Sequence, residues 1–186
     1  PYNRNGSWFD LDKQMKEERE FIKNYIPEIT IHTLTYPYST TSEIIVRSAK
    51  SSGFFFSRTG GDEYNKITSL DYHLLKSFAL YHNDGPGEFD FIKMINGAYK
   101  KWAILMYHNI LPDSMVNYDK LEELNVIDTY IVSPENFESQ MKYIYNTNYW
   151  VAPIYDVARY MIEKENSKVE IIEKNETKYI TVKCNL

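Results

Sequence analysis

The stretch Trp102-Ala103-Ile104-Leu105-Met106-Tyr107 most constrains the folds open to this chain. Six apolar or aromatic residues run without a break and stop at His108-Asn109. Residues 95–100, with Gly97 and Lys100, read as the end of a helix leading into it. A short unbroken apolar run of this kind predicts a strand buried on both faces, as in a parallel sheet. A buried parallel strand that ends in a titratable residue delivers that residue to the strand's C-terminal edge. In α/β folds and β/α barrels, chemistry sits at that edge. His108 is therefore a candidate functional residue. The plainer alternative is that it ends the strand and hydrogen-bonds to a loop.

The chain has 186 residues, enough for one domain with a substantial core. Its net charge is −5, charges of both signs are mixed, and no basic run occurs. That argues against nucleic acid and anionic membrane surfaces as partners. The one cysteine, Cys184, excludes a disulfide framework within the chain. No apolar run approaches the roughly 20 residues of a membrane helix. Tyrosine is abundant, with 17 copies. Its flat apolar face and hydroxyl suit sugar binding, but ordinary packing is the weightier explanation of its abundance.

Taken in order, residues 8–25 place Trp8, Leu11, Met15, Phe21, Ile22 and Tyr25 at helical spacing, with Ser7 as a candidate cap and Pro27 as the stop. Residues 29–35 alternate and are β-branched, predicting a strand that runs into Tyr36-Pro37-Tyr38. A second helix begins at Thr41 or Ser42 and closes at Gly53. Phe54-Phe55-Phe56 predicts a short strand, and residues 58–68 a loop. Residues 70–82 fit irregular or edge structure. Residues 88–100 predict a helix before the His108 strand, and residues 109–132 a long loop. Ser133-Pro134 opens a helix with Ser as N-cap and Pro at the first position. Residues 149–151 predict a short strand, 154–165 a helix, and 168–172 with 178–183 a β-hairpin. Alternation of strands and helices predicts a parallel sheet covered by helices. Four parallel strands are visible, where a closed β/α barrel takes about eight.

Three stretches carry a family resemblance. They are Thr35-Tyr36-Pro37-Tyr38 after a strand, Ile104-Leu105-Met106-Tyr107-His108 ending a later one, and Val132-Ser133-Pro134-Glu135-Asn136-Phe137 followed by Tyr149-Trp150-Val151-Ala152 and Asp156-Val157-Ala158-Arg159-Tyr160. In this order they resemble the C-terminal half of NodB-like polysaccharide deacetylases (carbohydrate esterase family 4), over residues 8–166. The resemblance implies an α/β fold that is part of a distorted β/α barrel over residues 1–166, with residues 167–186 as a β-hairpin extension. It implies a hydrolase that removes acetyl groups from a carbohydrate polymer or oligosaccharide with a divalent metal, usually zinc. It also implies an extracytoplasmic location.

The implied roles are specific to position. Pro37 and Tyr38 match the motif that lines the substrate groove. Met106 matches the hydrophobic residue of the last family motif, and His108 matches its general-acid histidine. The sequence departs from the family at Thr35, where arginine is common, and at Asn109, where aspartate is common. A fourth motif with an acidic residue and a Trp has Asp71 as its nearest candidate. The motifs that hold the metal and the catalytic base are missing. None of His32, His73, His82 and His108 forms a close pair, so no metal ligand is assigned and the ligands are expected outside this chain. This chain alone is then expected to be inactive. The alternative is a non-catalytic carbohydrate-binding or structural module derived from the same fold.

Overall fold

Short parallel strands, each laid beside its successor in the chain, form the frame of the larger of two compact units. The computed structural model describes residues 10–80, 88–115 and 131–184, and the units divide between Trp150 and Val151. β1 (Thr33–Thr35) pairs in parallel with β2 (Phe56–Arg58), Thr33 opposite Phe56 and Thr35 opposite Arg58. The chain returns along the other side of β2, where Leu75 bridges Arg58 in parallel sense and Thr59 N–H donates to the Leu75 carbonyl at 2.8 Å. It runs on into β3 (Phe78–Ala79), which pairs in parallel with β4 (Leu105–Met106). β5 (Asn109–Ile110) then pairs in parallel with β6 (Ile131–Val132).

The protein is thus mixed α/β, and each parallel partner is the next strand along the chain. Such neighbours require crossover connections. α2 (Glu43–Ser51) connects β1 to β2, and α3 (Glu88–Gly97) connects β3 to β4. Among the described residues the strands are two or three residues long in this unit, and no barrel closes.

Local signals set the helices. α1 (Leu11–Tyr25) is capped by Asp10, whose Oδ1 accepts from Lys13 N–H at 3.0 Å. The cap is Asp10 rather than Ser7, because an aspartate next to the first turn satisfies an end donor and meets the helix dipole. The apolar stripe expected on α1 is only partly used: Phe21 is 57 % and Tyr25 74 % exposed. Ser42 caps α2 through Ile45 N–H, and Gly53 ends that segment with φ +81°. Ser133 caps α4 (Pro134–Tyr145) through Asn136 N–H at 3.2 Å.

Helices cover one side of the strands in two apolar clusters. Leu80, Phe91, Met94, Ile95, Val132 and Ile144 form the first, with Phe78, Leu105 and Tyr107 packed on it. Tyr36, Ala49 and Phe54 form the second, with Met15, Leu34 and Leu74.

Several expectations shift. Strand β2 begins at Phe56 and ends at Arg58, two residues later than the triple-Phe reading. Residues 70–82, expected to be irregular or edge structure, contain among the described residues the two-residue strand β3, whose one strand partner is β4. The expected long loop contains β5 and β6 at its ends. Residues 149–151 form no strand. His82 lies outside the described residues.

The second unit holds α5 (Ile154–Asn166) and the hairpin β7 (Ser167–Lys174) and β8 (Thr177–Cys184). The sequence placed that helix with the barrel and divided the chain after residue 166, whereas contacts group it with the hairpin. Asn175 and Glu176 have φ of 52° and 63°. Positive φ at both central residues is the two-residue turn whose twist matches paired strands.

Candidate functional site at the strand ends

Side chains alternate across a strand, so one face of the parallel strands meets the helices and the other does not. Leu34, Phe78, Leu80, Leu105 and Tyr107 belong to the helix-side clusters. Tyr107 confirms its direction by donating to Gln140 Oε1 of α4 at 2.7 Å and meeting Phe137 edge-on. Burial pushes its phenol pKa well above the ordinary tyrosine range. The alternate positions are Thr35, Arg58, Ser77 and Met106. Three of these touch: Arg58 Nη1 donates to Ser77 Oγ at 2.8 Å and lies against Met106 Sδ. His108 lies two residues beyond the end of β4 and just before β5.

The loop after β1 is fastened over this spot. Tyr36 N–H donates to the Arg58 carbonyl at 3.0 Å. Ser39 N–H donates back to Tyr36 O, Thr59 Oγ1 donates to Ser39 O at 3.1 Å, and Gly60 N–H donates to Ser39 Oγ at 2.9 Å. A Cβ at residue 60 would stand 2.6 Å from Ser39 Oγ, so glycine is required for that approach. Tyr36 is 1 % exposed and anchors the loop. Tyr38, two residues on, is fully exposed with φ +52°, and Ser39 has φ +55°. The result is an aromatic side chain held out from a tightly bonded backbone.

Arg58 is half-buried, and burial pulls its guanidinium pKa down from the ordinary value. Its support is buried and ordered: Ser77 is inaccessible and donates its own hydroxyl to Thr59 O at 2.8 Å. The following loop is pinned by Asp62 Oδ1, which accepts from Ala79 N–H, and by Asn65, whose amide exchanges two 2.8 Å hydrogen bonds with the Lys76 backbone.

The predicted residues divide accordingly. Pro37, Tyr38 and Met106 come to one edge with Arg58, and His108 follows Met106 by two residues and is exposed. Asp71 does not join them; its Oδ1 accepts from His73 N–H. His73 Nδ1 lies 3.4 Å from the inaccessible Ser57 hydroxyl, on the helix side. His32 precedes β1, with its ring 5.4 Å from that of Phe55. Burial lowers the pKa of both imidazoles. Sequence reasoning missed Arg58 and Ser77 by reading their segments as loop and as irregular structure. The signal was present in Phe56-Ser57-Arg58, an alternating segment that ends on a charged residue as the His108 strand ends on a titratable one.

Among the described residues, no three His, Cys, Asp or Glu side chains gather as a metal requires. Nor is any described helix long and apolar enough to cross a membrane. No known family model, curated protein or solved structure matches the chain.

Proposed function

We propose that this chain is part of a metal-dependent hydrolase that removes acetyl groups from a polysaccharide, and that it corresponds to the C-terminal portion of a polysaccharide deacetylase-type β/α barrel. The observation that carries this reading is the convergence of the Tyr36-Pro37-Tyr38 loop, Arg58 and Met106 at the C-terminal ends of parallel strands, two residues before His108 in the chain.

The residue types suit amide hydrolysis. Tyr38 offers an exposed ring for the apolar face of a sugar. Met106 offers a soft apolar contact for an acetyl methyl. His108 donates a proton to the leaving amine, a role that contributes about 10²–10⁴-fold. A divalent metal of the zinc class would activate water and polarise the carbonyl. Among the described residues no such ligand set gathers, and on this reading the ligands lie outside this chain. The partner is a carbohydrate polymer or oligosaccharide, and the location is extracytoplasmic.

A second reading, a non-catalytic carbohydrate-binding or structural module, is favoured by Thr35, by Asn109 and by the lack of a clear fourth motif in the sequence. Acetate release from an acetylated chito-oligosaccharide with added zinc separates the two. The deacetylase reading expects release by the longest product of the native reading frame, none by this chain, and a loss of about 10²-fold or more in His108→Ala of the longer protein. Saccharide binding that Tyr38→Ala abolishes, without acetate release by either protein, establishes the binding module. Neither activity nor binding would sink both.

A further inference from the structure

A guanidinium partly withdrawn from water gains from a carboxylate or similar anion beside it, because desolvating an unpaired charge is costly. At Arg58 the arrangement is different. Among the described residues its acceptors are a hydroxyl and a thioether, both neutral, and no carboxylate lies within ion-pair distance. Nor is it part of a solvated basic patch: the chain is acidic overall, and Arg58 stands between β1, Ser77 and β4 on the face that the helices leave uncovered.

One edge of the fork is committed. Nη1 is held by Ser77, which Thr59 holds in turn, so the guanidinium plane is fixed before any ligand arrives. Nε and Nη2 have no acceptor among the described residues. A fixed planar fork with a free edge matches the two oxygens of a carboxylate. The acidic residue on the same loop, Asp62, is turned to Ala79 N–H instead. The exposed Tyr38 stands on the loop bonded to the Arg58 backbone. An exposed aromatic ring thus belongs to the same strand edge as this cation.

We propose that Arg58 makes this strand edge a receptor for a carboxylate. The inference rests on the carbohydrate reading only for the source of that carboxylate, which is either an acidic sugar unit or the acetate released from an acetylated one. Two probes separate the sources: sodium acetate, and trigalacturonate set against neutral chitotriose.

The Arg58 Nε–Hε NMR resonance of the unmutated chain, assigned by its disappearance in Arg58→Lys, reports binding without dependence on a variant's fold. A saturable shift with acetate supports the proposal and names the small product as sufficient. A shift with trigalacturonate alone supports it and names the sugar's own carboxylate. By calorimetry, trigalacturonate is then expected to bind about tenfold or more tighter than chitotriose. Arg58→Gln is expected to erase that preference. Screening at about 1 M salt is expected to weaken only the acidic ligand. No shift with either probe, or equal binding of acidic and neutral sugars before and after substitution, overturns the proposal. Chitotriose binding lost in Tyr38→Ala tests the carbohydrate reading by itself. A resonance shift with acetate but no chitotriose binding would sink that reading and leave the carboxylate site standing.

Discussion

Tyr38 and Ser39 lie side by side in the left-handed region, with φ of 52° and 55°. Each such residue outside glycine costs of order 1–3 kcal/mol, and persists where surrounding bonds over-determine it. Here those bonds come from Thr59 and Gly60, on the loop that follows Arg58. Glycine adopts this conformation without the Cβ penalty. Tyr38→Gly is therefore expected to leave stability unchanged or raise it by up to about 1 kcal/mol in urea unfolding, while saccharide binding is lost. A clear loss of stability would mean that the ring packs rather than presents itself to ligand. Tyr107, on the opposite side of its strand, has the reverse role. Tyr107→Phe keeps the edge contact with Phe137 but strands Gln140, at an expected cost of about 1 kcal/mol. The pattern of alternation was legible in Met106-Tyr107-His108, but Gln140 as the partner was not, since it arrives from a helix some thirty residues on.

At the scale of elements, local chemistry accounts for the helix starts. Ser133 meets Asn136 N–H and is followed by Pro134, so the start of α4 is written in adjacent residues. Ser133→Ala should cost about 1 kcal/mol, read as a lower urea midpoint with little change in far-UV dichroism. The hairpin offers the opposite sign. Glu176 holds φ +63° at the second position of its turn, where glycine is preferred. Glu176→Gly should stabilise the hairpin, seen as slower amide exchange across Ile172 and Tyr179, which face each other in the register. Unchanged or faster exchange would mean that the pairing does not depend on the turn. Strand β3 was not legible in this way. Ser77 and Lys76 interrupt its apolar pattern, and its place comes from carbonyls on β2 and β4 that accept its neighbours' N–H groups, from Ser57 and from Ile104 and Met106.

At the scale of the whole molecule, stability follows from groups buried in one protonation state. His32 and His73 are held below the ordinary imidazole value by burial, with cations at Arg19 and Lys50 adding to it. The unfolded chain thus binds more protons, so their contribution is present above the unfolded value of 6.5 and lost as pH falls below it. Tyr36, Tyr64 and Tyr107 are raised by burial, so their contribution is present below the unfolded value of 10.0 and lost as pH rises above it. Urea midpoints at about pH 5, 8 and 11 should therefore be highest at the middle value. Equal midpoints at 5 and 8 would remove the imidazole account. Phe91 tests the core beneath the helices: it is 1 % exposed, and Phe91→Ala should cost about 3–5 kcal/mol.

The sequence by itself determined what depends on neighbours along the chain: the caps at Ser42 and Ser133, the hairpin, the Pro37-Tyr38 turn, and a strand that ends at Met106. These follow from side chains a few residues apart, whose geometry needs no distant partner. Only the tertiary structure decided that Thr35 lies opposite Arg58, that Arg58 reaches Ser77 and Met106, and that Leu75 bridges β2 just before β3 pairs with β4. Parallel pairing joins segments separated by whole helices. Its register is chosen by burial on the helix side and by backbone bonds between strands, and neither is written in any single stretch of the chain.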